Sequence, residues 1–309
     1  VHCGSQIGVP VSEYPYGTGK LKPGNSLGDD YLVISKIAQG GMGAVYEVRR
    51  KGLTGLGPRL AMKEMSFSAL HALDPEQQQV VIEGFHQEFE LLSQLSHPNL
   101  VKAYEFFEVR DRQYYIMEFL EGQTLETVLE GLPAGQFLPV DRVLLWAQQV
   151  CAVLSYLHAQ SPPIIYRDLK PSNLMLIGTG PDIKLFDFGI ARFYKPGKDC
   201  DTLRFGTDGY LAPEVVARLS QTSQKTDVYA LGVLLHQLLT GNDPQVDPFN
   251  LRPIQSLNPN VPDGVAAAIE RALTLDPAMR TTSVRDVLLD LFTSDDDHSL
   301  PATMRIAGT

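Results

Sequence analysis

Cysteine is scarce in this sequence: Cys3, Cys151 and Cys200 are the only three, far apart and odd in number. That count argues against a disulfide framework, and a reducing, cytoplasmic compartment is the expectation. Cys151 falls on an apolar helical face and reads as core. Long apolar runs are also lacking. The best candidate, Tyr229 to Leu239, is interrupted by Gly232, His236 and Gln237 and falls short of the ~20 apolar residues that a membrane span needs. No signal peptide is visible, and because the chain opens on Val1 its native start is expected upstream. Basic residues are outnumbered, 26 against 36 acidic, for a net charge of -10. That balance argues against nucleic acid and against an anionic membrane as partners. The seven histidines show no ligand spacing, and Cys3-Gly4 matches only the end of a zinc knuckle, so no structural zinc is expected. Apolar residues, in contrast, make up 44% of the 309, enough for a sizeable core in one large domain or in two lobes around a shared cleft.

Residues 1–28 are rich in Gly, Pro and Ser and without periodicity, and they read as a tail or linker. From Tyr31 the pattern becomes strand-like: Tyr31 to Ile37, Ala44 to Val48 and Leu60 to Glu64, with a glycine-rich turn between the first two. The insertion Lys51 to Arg59, with three glycines and a proline, suggests a flexible loop. Asp74-Pro75 starts a helix that carries Val81, Phe85, Glu88, Phe89 and Leu92 at helical spacing. Two more strand-like runs follow, Val101 to Glu108 and Gln113 to Phe119. Beyond Gly122 the chain turns helical, with an apolar stripe from Val140 to Leu157. Further helices are expected at Ser223 to Leu239, Pro262 to Leu275 and Ser283 to Phe292. The expected organisation is α+β and bilobal: a strand-rich first lobe, 29–120, a helix-rich second lobe, 121–293, and a tail, 294–309. A cleft between two such lobes is a usual place for a ligand.

Four motifs carry chemistry. In Ala38-Gln39-Gly40-Gly41-Met42-Gly43-Ala44-Val45 the missing Cβ atoms let backbone N–H groups approach phosphates. Alone, such a hairpin is more often only a turn; without a G-K-[ST] ending or a following helix it is not a P-loop. Lys63, on the run Ala61-Met62-Lys63, either snorkels to the surface or meets an anion, for which phosphate oxygens or Glu88 would serve. In Tyr166-Arg167-Asp168-Leu169-Lys170-Pro171-Ser172-Asn173 a carboxylate, an ammonium and an amide fall within six residues. Phosphoryl transfer needs a hydroxyl held in line, a metal, and positive charge near the moving phosphate. Asp168 can orient the hydroxyl and take its proton, Lys170 can stabilise the transferring group, and Asn173 can offer an oxygen to Mg²⁺. Asp187-Phe188-Gly189 follows the apolar strand Ile183 to Phe186, and Asp187 would be the second protein ligand of Mg²⁺, beside Asn173.

These motifs, in this order and with Ala212-Pro213-Glu214 after them, resemble the signature set of the eukaryotic-like (Hanks-type) protein kinases, and GGMGAVYEV resembles the bacterial serine/threonine members. The resemblance covers roughly residues 30–292. It implies a bilobal protein-kinase-like fold and transfer of the γ-phosphate of ATP to Ser/Thr hydroxyls of proteins, with Mg²⁺ (or Mn²⁺) as cofactor. Under it, Ile37 to Val45 would cover the ATP phosphates, and Lys63 would hold the α- and β-phosphates and pair with Glu88. Glu88, nine residues before His97, suits that role, and Glu90 would face elsewhere. Met117 would be the gatekeeper, Glu118, Phe119 and Leu120 the hinge at the adenine edge, and Val45, Ala61 and Met175 the apolar contacts of the adenine faces. Asn173 and Asp187 would be the metal ligands. Lys170 and the run Gly206 to Glu214 imply serine/threonine rather than tyrosine acceptors, with Thr207 near Asp168 and Lys170.

The resemblance also implies regulation. Arg167 before Asp168 goes with activation by loop phosphorylation, Arg192 would join it in holding the phosphate, and Thr202 is the expected phosphosite, modified by the kinase itself, in trans within a dimer. Asp227 would anchor the catalytic loop, and Glu214 with Arg280 would form an internal ion pair. Two departures stand out: Ala38 replaces the first glycine of the phosphate loop, and Tyr166 replaces the usual His, its ring expected against Phe188. The rival reading is a nucleotide-binding pseudokinase acting as a signalling scaffold. The presence of Lys63, Asp168, Asn173 and Asp187 argues for catalysis.

Overall fold

In the computed structural model of the chain the described residues are 18–28, 30–40, 43–52, 55–65, 75–109, 112–133, 135–188, 192–193, 206–217, 219 and 221–293. The chain divides into two units, Val1–Ser96 with Val101–Glu121, and His97–Leu100 with Gly122–Thr309. The expected lobe boundary at 120/121 thus sits one residue earlier than the division, and the short segment His97–Leu100 belongs with the second unit.

The first unit is built on alternation. Strands β1 (Ser26–Leu27), β2 (Tyr31–Gly40), β3 (Gly43–Gly52), β4 (Gly55–Met65), β5 (Ala103–Val109) and β6 (Arg112–Glu118) form one antiparallel sheet in the order β1-β2-β3-β4-β6-β5. Successive side chains point to opposite faces. One face gathers Tyr31, Val33, Ala44, Tyr46, Val48, Met62, Tyr114 and Ile116 into a buried cluster. The other carries Tyr115 and Met65, which pack with Phe85 of the helix α1 (Pro75–Gln94). The rings of Phe85 and Tyr115 lie 5.1 Å apart, and Phe89 and Phe106 5.6 Å. Asp74, the expected cap of α1, lies outside the described residues.

Two expectations need correction here. Residues 18–28 are not a tail: Leu21 and Leu27, 4% and 1% exposed, complete the buried cluster, each worth about 1.5–3 kcal/mol of transfer free energy. Polar composition hid this, because two leucines in a Gly/Pro-rich run carry no periodicity. The insertion 51–59 is also not a free loop. It extends a hairpin, pairing Arg49 with Arg59, Lys51 with Leu56 and Gly52 with Gly55. Residues 1–17, 53–54 and the tail 294–309 lie outside the described residues.

The second unit is mainly helical: α2 (Leu125–Glu130), α3 (Val140–His158), α4 (Pro213–Val216), α5 (Gln224–Thr240), α6 (Ile254–Leu257), α7 (Asp263–Ala272) and α8 (Val284–Thr293), with short strands β7 (Gly122–Thr124), β8 (Ile164–Ile165), β9 (Leu174–Ile177), β10 (Ile183–Leu185) and β11 (Arg192–Phe193). The stripe on α3 buries Val143, Leu144, Ala147, Val150, Cys151, Leu154 and Leu157. Burial pushes the Cys151 thiol up to about 12, so it packs as an inert apolar group. Helix α5 is buried from Thr226 to Leu235 without a break, as a helix at the centre of a unit must be. It opens on a capping box between Ser223 and Thr226 and ends at Gly241 in the left-handed region. Among the described residues no helix is long and apolar enough to cross a membrane.

Candidate functional site

In the first unit the pleat decides which charges meet. Val45 pairs with Lys63, and Ala61 with Met117, so all four side chains share the face that α1 covers. Lys63 is 8% exposed and donates to both oxygens of Glu88, at 2.6 and 2.8 Å. Glu88 also accepts from the Tyr115 hydroxyl at 2.9 Å. A buried lysine in such a grip is fixed in position, with its charge available to an anion. Glu90, two residues on, is exposed. Ala61 is buried, and Val45 and Met117 are half-buried beside it. The Glu118 amide is already committed to the Lys102 carbonyl at 2.8 Å, so adenine-edge contacts would fall to other backbone groups of Glu118–Leu120. The Arg59 guanidinium lies 3.9 Å from the centre of the Phe119 ring and pairs with Glu47 and Glu121. Of the glycine-rich turn, Gly41 and Met42 lie outside the described residues; Ala38 pairs with Val45, Gln39 with Ala44 and Gly40 with Gly43. Ile37 is half exposed.

In the second unit one constellation forms around Asp168. Its Oδ2 faces the Lys170 ammonium at 2.9 Å, and its Oδ1 accepts from the Thr207 hydroxyl at 2.8 Å. Lys170 in turn donates to Thr207 at 2.6 Å. The Asn173 amide nitrogen donates to the Asp168 carbonyl and carboxylate at 2.8 and 2.9 Å. With its NH₂ so engaged, Asn173 turns its amide oxygen away from Asp168, the orientation a hard cation needs. Gly206 sets up Thr207: at φ +122, a Cβ there would lie 2.4 Å from Leu211 and 3.2 Å from the Arg167 carbonyl.

The loop is held from below. Asp227, fully buried, accepts from the backbone N–H of Tyr166 and of Arg167, both at 2.9 Å, and meets His158 Nε2 at 2.8 Å. Arg167 and Asp187 both stand in the left-handed region, φ 75 and 62, strain of the kind that functional loops hold. The Tyr166 hydroxyl donates to the Phe186 carbonyl at 2.6 Å, and its ring meets Phe188 edge-on at 5.1 Å. Burial, then the nearby Asp187 and Asp168 carboxylates, hold that phenol well above its usual range, so it stays a donor. Met175 is half-buried on β9, opposite Lys184 and Thr124. Glu214 and Arg280 form a buried pair with two contacts of 2.9 Å. Of Arg192 only the backbone is described, paired with Ile165. Gly189 and Thr202 lie outside the described residues.

Two participants escaped the sequence reading. His158 closes Asp227, and its place in the last turn of α3 gave only a weak signal. Glu64, next to Lys63, points to the opposite face and is fully buried; only strict alternation could have suggested it.

The sequence matches the family described as "Protein kinase domain" over residues 31–287. The chain belongs to that family. Among its curated relatives, the probable serine/threonine-protein kinase PknB of Lactococcus lactis is 31% identical over 287 residues, 89% of this chain and 43% of that protein. Serine/threonine-protein kinase PrkC of Bacillus subtilis is 32% identical over 285 residues, 88% of this chain and 42% of that protein. The chain therefore spans less than half the length of these relatives. Among solved structures, the kinase domain of Mycobacterium tuberculosis PknI superposes with a TM-score of 0.67 at 25% identity, covering 88% of this chain and 97% of that one.

Proposed function

We propose that this chain transfers the γ-phosphate of ATP to serine and threonine hydroxyls of proteins. The observation that carries the reading is the closed set Asp168–Thr207–Lys170–Asn173. Asp168 holds the acceptor hydroxyl and takes its proton as the oxygen attacks phosphorus; the bond from phosphorus to the leaving ADP oxygen breaks in the same displacement. Lys170 supplies positive charge beside the moving phosphoryl group, and Lys63, fixed by Glu88, holds the phosphates that stay behind. Mg²⁺ fits the oxygen donors of Asn173 and Asp187; when bound it neutralises phosphate charge. The phosphate-loop residues Ile37 to Val45, the gatekeeper Met117, the hinge Glu118–Leu120 and the adenine contacts Val45, Ala61 and Met175 belong to the same proposal. So do autophosphorylation in a dimer, at Thr202, and a cytoplasmic location. The family match and the serine/threonine kinases among the relatives support the phosphotransfer itself.

The test is transfer of labelled γ-phosphate to the chain itself and to a generic protein substrate. Wild type is expected to exceed Asp168→Asn by about 10²–10⁴-fold. Equal rates in the two proteins overturn the phosphotransfer reading and leave the pseudokinase.

A further inference from the structure

The end of β2, which leads into the glycine-rich turn, meets the segment that precedes the sheet. Strand β2 holds an extra residue between Lys36 and Ala38, since Lys36 pairs with Tyr46 and Ala38 with Val45. In a regular strand residues three apart face opposite ways; the bulge restores Lys36 and Gln39 to one side. Lys36 reaches Gly19, and Gln39 reaches both Thr18 and Gly19. Lys36 Nζ donates to the Gly19 carbonyl at 3.3 Å and to Gln39 Oε1 at 2.8 Å, and Gln39 Nε2 donates to the Thr18 carbonyl at 3.4 Å. The Gln39 amide lies so close over Gly19 that a Cβ there would sit 2.2 Å from Oε1.

That short segment is itself pinned. The Gly19 amide donates to Oε2 of the fully buried Glu64 at 2.9 Å, which also accepts from the Tyr46 hydroxyl at 2.8 Å. Glu64 Oε1 faces Arg112 at 3.0 Å. Leu21 and Leu27 anchor the segment in the core. Gly19 is held at one end by a buried carboxylate on the strand of Lys63 and touches at the other the residue next to Gly40.

We infer that Glu64 and Gly19 are positioning residues for nucleotide binding: Glu64 fixes Gly19, and Gly19 fixes Gln39 and with it the strand entering the glycine-rich turn. The inference rests on the nucleotide-binding reading of that turn. Bracing a turn before ligand arrives lowers the ordering cost of binding, so its loss falls on nucleotide affinity rather than on turnover.

The experiment uses the full chain, a fluorescent ATP analogue for direct affinity, and steady-state phosphotransfer for KM and kcat. Gly19→Ala, which drives a methyl into the Gln39 amide, is expected to raise the analogue Kd and the ATP KM by about three- to tenfold, with kcat within about twofold, and Gln39→Ala, which removes the side chain that meets Gly19, is expected to raise Kd and KM by a similar factor. Because both act through one contact, the double variant is expected to be no worse than the weaker single. Gly24→Ala is the control for backbone strain. Gly24 stands at φ +88, yet nothing lies within 4 Å of a Cβ there, so affinity is expected to stay at the wild-type value. Unchanged Kd and KM in the two single variants, additive effects in the double, or a Gly24→Ala effect equal to that of Gly19→Ala each overturn the inference. Wild type that binds the analogue without transferring phosphate defeats the phosphotransfer reading alone, and the variant affinities still decide the brace. Wild type that binds no nucleotide defeats both.

Discussion

Glu64 and Asp227 are both carboxylates with no exposed surface, one in each unit, and they hold different things. Asp227 takes the backbone N–H groups of two consecutive residues, Tyr166 and Arg167. It therefore dictates a main-chain conformation, including the left-handed Arg167, just ahead of Asp168. Glu64 takes one backbone N–H, from Gly19, and side chains from two other strands: Tyr46 of β3, and Tyr114 and Arg112 of β6. It sets how elements pack rather than how one loop bends. A buried carboxylate filled by consecutive N–H groups is a tool for local geometry; one filled by distant side chains is a tool for assembly.

The comparison breaks most sharply at Asp227. Asp227→Ala is expected to cut phosphotransfer by about 10²-fold or more, because misplacing a reacting group by about 1 Å costs that much. A variant that is folded by circular dichroism and retains full rate would sink this. Glu64→Ala removes the carboxylate that Arg112 faces, and about 3–5 kcal/mol of stability should go with it. Glu64→Gln, which keeps the shape, should lose about 1–2 kcal/mol. Urea denaturation reads both, and kcat of folded Glu64→Gln should stay near wild type. A kcat loss as large as that of Asp227→Ala would erase the distinction between the two hubs. Tyr46→Phe deletes one donor to Glu64 and should cost about 1 kcal/mol, again without a change in kcat. Burial and the Glu64 charge hold the Tyr46 phenol above its ordinary value, so this contribution should not vary with pH across the working range.

The smallest effect concerns a buried group with no carboxylate partner among the described residues. His236 is held below the ordinary imidazole value of 6.5 by burial, against a partly offsetting bond to the Arg252 carbonyl. Between its depressed folded value and 6.5 the unfolded chain binds more protons, so stability rises with pH there and is lost on acidification below about 6.5. His97, also depressed by burial, acts with the same sign. His236→Gln should flatten the pH dependence of the melting temperature between about pH 5 and pH 7. An unchanged profile would show that His236 does not titrate differently on folding.

Legibility varied with the kind of signal. Lys63 and Glu88 sit on a strand and a helix whose periods were plain, but that the two meet came from the family resemblance. Asp168, Lys170 and Asn173 lie within one short string, so sequence proximity forced them together. The Arg280 partner of Glu214 came from the family resemblance alone, since 66 residues separate the two. The brace at Gly19 had no signal. Its leucines lie in a polar run, and the bulge that turns Gln39 toward it depends on pairing between strands.

The amino-acid sequence alone determined the main strands and helices and the content of the catalytic loop, because those depend on periodicity and on residues adjacent in the chain, while the kinase family came from the resemblance of its ordered motifs. Tertiary structure decided which buried carboxylate serves which backbone, that residues 18–28 pack into the first unit with Ser26–Leu27 as a strand of its sheet, and that His158 closes Asp227. Each of those depends on which face of an element is desolvated and what arrives there from far along the chain, and a local pattern does not contain that information.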